Sequence, residues 1–341
     1  MKQWWTSALL AATVVLGTNP ALAQVTTLET PGGTASAQAP APSTCGSQPM
    51  TIARMSWPSA ALLAEIHARV LRDAFGCQSQ VLPGDMANVG SSMGSTGQPA
   101  IAPEMWVTRI AEVWNTGLEA QKLRAAGDTY GEEAFEGWFI PDYVAASRPE
   151  LESAAGLAEA LPALGGDGPV KFISCPADWA CALINRNLIR ALGLEDLLEV
   201  VEPANRFEMD TLIASAVSAK EPFVFYYWQP NAVLAQFDFA GLDMGAYDEA
   251  AAQCLARLQC PEPKPSAFVP DVVVGALAEW VFTEAPQIAA YFSRASMPVS
   301  EMNTLLAQIN EPGATVEAVA DRFVAERGEL WRDWVGTPPA P

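Results

Sequence analysis

Along the chain, short apolar runs alternate with longer stretches in which apolar residues recur at helical spacing. Residues 50–55 (Met-Thr-Ile-Ala-Arg-Met) predict a strand, and Ser56-Trp57-Pro58-Ser59 reads as a turn and helix start. Over 60–75, Leu62, Leu63, Ile66, Val70 and Leu71 keep to one helical face, and Gly76 closes the helix. Residues 77–82 form the next predicted strand, which makes a strand, helix, strand unit typical of α/β domains. The alternation continues with strands over 101–105, 170–174 and 223–227, and helices over 182–192 and 209–219. A helix is expected to begin at 107–114. Further helices are predicted over 151–161, 272–282, 286–294, 300–310 and 315–327. The glycine- and serine-rich run 90–97 lacks the Gly-Lys-Ser/Thr ending of a phosphate loop and is predicted to be a plain loop. Residues 137–144 form an extended apolar segment suited to crossing between domains, and the proline-rich 261–270 suits a return.

The amino terminus adds a location. Met1-Lys2 precedes an apolar stretch from Ala8 to Leu16, and Ala21-Leu22-Ala23 supplies a small-x-small cleavage site before Gln24. That order of features is a secretory signal, 1–23, and implies a periplasmic protein. Residues 24–47, rich in Thr, Pro, Gly, Ala and Ser, read as a flexible linker. No later run approaches 18 continuous apolar residues, so no membrane anchor is expected. Roughly 320 residues after the leader exceed one ordinary core and predict two domains.

Charge and cysteine content narrow the chemistry. A formal charge of -20 argues against both nucleic acid and an anionic membrane surface as partners, and no nucleic acid is expected. Six cysteines in an exported chain point to disulfides. Their spacing pairs Cys175 with Cys181 and Cys254 with Cys260, which leaves Cys45 with Cys77. The only histidine, His67, sits mid-helix, and the cysteine spacings do not suit zinc, so neither a metal nor a cofactor is expected. No nucleophile elbow, His-Glu-x-x-His motif or paired-carboxylate motif is present, and the protein is not expected to be an enzyme. A secreted α/β enzyme working through carboxylates is the alternative.

Three tryptophans carry the functional expectation. Trp106 and Trp228 each follow a predicted strand, and Trp179 lies inside Cys175-Pro176-Ala177-Asp178-Trp179-Ala180-Cys181, where a disulfide would restrict the ring. In open α/β sheets ligands gather beyond the carboxyl ends of strands. A quaternary ammonium has no hydrogen-bond donors and is held by aromatic faces, so three convergent indoles suit it. The backbone N–H groups of Ala180, Cys181 and Ala182, at a helix start, suit a ligand carboxylate.

At these residues the chain resembles the glycine betaine and proline betaine substrate-binding proteins of ABC transporters. Pro103-Glu104-Met105-Trp106, Gly137-Trp138-Phe139-Ile140-Pro141-Asp142-Tyr143-Val144, the cysteine loop 175–181 and Glu221-Pro222-Phe223-Val224-Phe225-Tyr226-Tyr227-Trp228-Gln229-Pro230 are similar to that family's motifs. The resemblance implies a two-lobed periplasmic binding protein, a type II Venus flytrap with two interdomain crossovers. Lobe 1 would combine 48–140 with 264–341, and lobe 2 would be 141–263. It also implies that Trp106, Trp179 and Trp228 form a cage, and that an ABC permease with its ATPase receives the ligand for osmoprotection. The histidine that many relatives set against the ligand carboxylate is absent, and Arg109 or Asn231 could replace it. Glycine betaine, proline betaine, choline and carnitine all remain open as ligand, and a sensor with a signalling partner would share every one of these residues.

Overall fold

The computed structural model describes residues 44–336 apart from Glu133 and Asp167. The predicted leader 1–23, the linker up to residue 43 and the carboxyl-terminal 337–341 lie outside the described residues. The strands, in chain order, are β1 (Met50–Met55), β2 (Ser79–Gly84), β3 (Ile101–Trp106), β4 (Leu123–Asp128), β5 (Glu136–Pro141), β6 (Val170–Ile173), β7 (Leu198–Val201), β8 (Phe223–Trp228), β9 (Phe239–Gly241) and β10 (Val273–Ala278). They form two five-stranded sheets, ordered β2-β1-β3-β10-β4 and β7-β6-β8-β5-β9.

The two sheets share one plan. Each has three parallel strands, β1 with β2 and β3 in the first and β6 with β7 and β8 in the second. Each then takes an antiparallel fourth strand from chain that has just arrived from the other sheet: β10 beside β3, and β5 beside β8. The first crossing falls between Asp128 and Glu136. Residues 136–140, which the sequence reading gives to lobe 1, therefore pair in the second sheet, where Phe139 opposes Phe225. Helices cover both sheets, so the protein is a two-lobed α/β fold, as expected.

The first helix shows why the opening elements were legible. It spans Pro58–Phe75, with proline in its first turn, where no N–H partner is lost. Gly76 ends it in the left-handed conformation (φ 69°), its N–H donating to the Arg72 carbonyl and that of Cys77 to the Leu71 carbonyl. Leu62, Leu63, Ile66 and Val70 are buried on its inner face, each contributing about 1.5–3 kcal/mol by leaving water.

Two expectations fail for identifiable reasons. Residues 90–97 are not a loop, because Met86–Thr96 is a helix. Asp85 caps it by accepting from the Asn88 N–H, and its glycines serve close packing. A Cβ on Gly94 would come within 3.4 Å of Gly117 Cα, and one on Gly90 within 3.1 Å of Ile110. The second failure is 272–282, predicted to be helix. Residues 273–278 are β10, buried at every position between β3 and β4, and only Glu279–Glu284 is helical. A strand covered on both faces carries no alternation by which to tell it from a buried helix.

The disulfides pair Cys175 with Cys181 and Cys254 with Cys260, as their spacing predicts, and the remaining Cys45 with Cys77. Among the described residues, no helix is long and apolar enough to cross a membrane.

His67 belongs to the core. Its Nδ1 lies 2.6 Å from the Tyr291 hydroxyl, and its ring packs 4.8 Å from that of Phe292. Burial pushes its imidazole down to about 3. An unfolded chain takes up this proton near pH 6.5, so between those values the unfolded state binds more protons and stability falls as the pH drops. The expected loss is about 2 kcal/mol between pH 6.5 and 5, and about 5 kcal/mol over the whole window at most. Urea denaturation of the wild type and of His67→Gln at pH 7 and pH 5 measures it. The variant should lose about 2 kcal/mol less than the wild type between those pH values, and equal losses would remove His67 from the acid response.

Candidate functional site

The carboxyl ends of the parallel strands in both sheets open onto one cavity of about 740 Å³. β1 delivers Trp57, β3 delivers Trp106, β6 leads into the cysteine loop, β7 is followed by Arg206, and β8 ends in Trp228. The seven residues expected at the site, Trp106, Arg109, Trp179, Ala180, Cys181, Trp228 and Asn231, all line this cavity. Such clustering is what the strand-end rule for open α/β sheets leads one to look for.

On the second-sheet side, the cysteine loop is locked from two directions. The Cys175–Cys181 disulfide closes it, and the Trp179 N–H donates to the Pro176 carbonyl at 2.9 Å. Trp179 is the residue immediately before helix Ala180–Ala191. The N–H groups of Ala180 and Cys181 therefore open a helix, where intrahelical acceptors are lacking, whereas that of Ala182 donates to the Trp179 carbonyl. Buried Asn185 fixes the helix in place: its Oδ1 accepts from the Trp138 indole at 2.8 Å, and its amide donates to the Ser174 hydroxyl at 3.0 Å. The Trp179 and Trp228 rings meet at 5.7 Å with their planes 60° apart, and Trp228 is backed by Tyr227 at 4.8 Å.

On the first-sheet side, one carboxylate oxygen organises the wall. Glu104 Oε1 accepts from the Trp57 indole at 2.9 Å, the Trp106 indole at 2.9 Å and the Ser59 hydroxyl at 3.0 Å. The side chain is buried, and its other oxygen has no hydrogen-bond partner. Burial raises this carboxyl above the usual carboxylate range, with the three donors and the neighbouring Tyr130 hydroxyl acting against it. Trp57 was not among the expected site residues. It stands two residues beyond a predicted strand, in the turn before the first helix, so the placement argument applied to Trp106 would have reached it.

Arg109 is already engaged. Its Nε and Nη2 donate to Asp271 at 3.1 and 2.6 Å, Nη2 lies 3.6 Å from Glu136, and the guanidinium sits 4.8 Å from the centre of the Trp106 ring. Glu136 in turn accepts from the Tyr226 hydroxyl at 2.5 Å, and burial raises its carboxyl. Asn231 is buried beside the end of β8, where its N–H donates to Asn303 at 2.6 Å. Arg206 lines the cavity from the start of helix Arg206–Ser218. The lining thus carries three carboxylates, Glu104, Glu136 and Asp271, and two guanidiniums. Among the described residues, no group of three or more His, Cys, Asp or Glu side chains is placed to hold a metal ion.

Comparison with known proteins agrees with this architecture. Similar solved structures include apo YehZ from Escherichia coli, at 17% identity with a TM-score of 0.59 over 84% of this chain and 100% of that one. Lactococcal OpuAC in its closed, glycine betaine-bound form matches at 12% identity and a TM-score of 0.54, over 85% and 100% of the two chains. An ABC-transporter choline-binding protein in complex with choline matches at 17% and 0.53, over 86% and 93%. Among curated protein sequences, none matches the chain. A family model described as the substrate binding domain of ABC-type glycine betaine transport systems matches residues 48–326, and the chain belongs to that family of substrate-binding proteins.

Proposed function

We propose that the protein is a periplasmic receptor that captures a quaternary ammonium compound and presents it to an ABC permease and its ATPase. The observation that carries this reading is the convergence of Trp57, Trp106, Trp179 and Trp228 on one cavity together with the buried Glu104. Indole faces attract a cation that cannot donate hydrogen bonds, and nearby carboxylates add to the attraction. Four faces at about 0.5–2 kcal/mol each supply about 8 kcal/mol at most, the scale of a micromolar Kd. The first sheet contributes Trp57 and Trp106 and the second contributes Trp179 and Trp228, so closing the lobes brings the two halves of the cage onto one ligand and changes the surface offered to the permease. The leader 1–23 and linker 24–47 put this receptor outside the cytoplasmic membrane, and lobes of 48–140 with 264–341 and of 141–263 are its moving parts, with the first boundary drawn back to the start of β5. The structures of a glycine betaine-bound and a choline-bound neighbour support this ligand class.

Titration calorimetry with glycine betaine, proline betaine, carnitine, choline and unmethylated glycine tests the reading. Micromolar binding of at least one methylated ammonium is expected, with none of glycine. Trp179→Ala should weaken it by about 0.5–2 kcal/mol, roughly 2- to 30-fold, with the fold retained. Absence of heat with all four methylated compounds would sink the proposal.

The carboxylates give a second test. A charge about 6 Å from the cation in an effective dielectric near 20 contributes about 3 kcal/mol before screening. Glu104→Gln keeps an acceptor for the indoles but removes the charge, so Kd should rise by about tenfold or more. Lowering the pH from 7 to 5 acts in the same direction, because the carboxyls of Glu104 and Glu136, both raised by burial, begin to gain protons early. Affinity unchanged by both interventions would exclude the carboxylates from cation binding.

A further inference from the structure

The cavity holds two guanidiniums in different states. Arg109 donates to Asp271 through two nitrogens, has Glu136 at 3.6 Å, and lies over Trp106. A ligand anion brought to it would face both of those carboxylates, so Arg109 is spent on holding the wall together. Arg206, by contrast, lines the same cavity with its side chain partly exposed, and no described residue hydrogen-bonds or ion-pairs with it. The carboxylate whose titration it influences, Asp210, accepts from the Tyr227 hydroxyl at 2.5 Å. Its backbone is well anchored: Asn205 precedes it as helix cap, and Asn205 Oδ1 accepts from the Glu208 N–H at 3.1 Å.

The cavity is therefore dipolar. Glu104 supports the indoles of the first sheet from beneath, while a guanidinium available to an anion stands on the second sheet after β7. We infer that Arg206 is the residue that reads the anionic group of the ligand, in the role for which Arg109 and Asn231 were the candidates in sequence. The receptor accordingly takes a zwitterion, a quaternary ammonium carrying a carboxylate, in preference to an uncharged-tail cation such as choline. A guanidinium matches a carboxylate by two parallel N–H donations, whereas a hydroxyl offers it one neutral acceptor. This inference rests on the quaternary ammonium reading above.

The test is calorimetric titration of the wild type, Arg206→Gln and Arg109→Gln with glycine betaine and with choline, and with circular dichroism to establish that each variant is folded. The wild type should bind glycine betaine at least about tenfold more tightly than choline. Arg206→Gln should weaken glycine betaine by about tenfold or more, from loss of a charge-assisted bond, and leave choline bound as tightly as in the wild type or more tightly, because a like charge has been removed. Arg109→Gln should shift both ligands alike, because it acts on the wall and not on the anion. Glycine betaine binding that survives Arg206→Gln, an equal loss for both ligands in that variant, or a wild-type preference for choline would overturn the inference while leaving the tryptophan site intact. Failure of both ligands to bind the wild type would overturn the quaternary ammonium reading and this inference with it.

Discussion

Half of the aromatic wall hangs on one atom. Glu104 Oε1 accepts both indole N–H groups of the first-sheet tryptophans and the Ser59 hydroxyl, which opens the first helix. A buried carboxylate is costly unless it is bonded, and here the three donors that offset the cost are those whose positions matter to the site. The arrangement ties β1, through Trp57 and Ser59, to β3, through Glu104 and Trp106. The ring positions on that side follow from the strand ends and not from loop conformation. The opposite wall is held by covalent closure and by backing: the cysteine loop fixes Trp179, and stacked Tyr227 supports Trp228.

The cluster of Arg109, Glu136 and Asp271 is a different kind of element. Its residues come from the turn after β3, the start of β5 and the segment before β10, so it gathers both crossings of the chain at one point beside the cavity. Its charges answer one another. An arginine in a ligand cavity is readily taken for an anion receptor, but such a role depends on what else bonds to it. Here the distances assign Arg109 to the frame and leave Arg206 facing the open space.

Much of this was legible in sequence where apolar residues recur at a regular spacing. The periodicity of 60–75 marks its helix because Leu62, Leu63, Ile66, Val70 and Leu71 recur at helical spacing and are all buried, and Gly76 marks its end. Trp106, Trp179 and Trp228 were found because each follows a recognisable strand or a cysteine loop. What stayed hidden has a common cause. β10 is buried throughout and β7 is only four residues long, so neither gives a periodic signal. Asp271 and Arg206 flank those two strands and were missed with them. The helix Met86–Thr96 was hidden because its glycines are there for close contact with Gly117 and Ile110, a demand that only the tertiary structure reveals.

The order of strands has a consequence for how the chain is made. Every strand of the second sheet lies within one continuous stretch, from β5 to β9, and can pair as soon as that stretch has emerged. The first sheet is different. β4 is an edge strand whose one partner is β10, and β10 is the last strand in the chain. A growing polypeptide therefore holds β3 and β4 open through the synthesis of the entire second lobe, with two unsatisfied strand edges in the nascent protein, before β10, in the last quarter of the chain, inserts between them. The lobe that begins first is the one that finishes last, and its completion waits on the carboxyl-terminal segment.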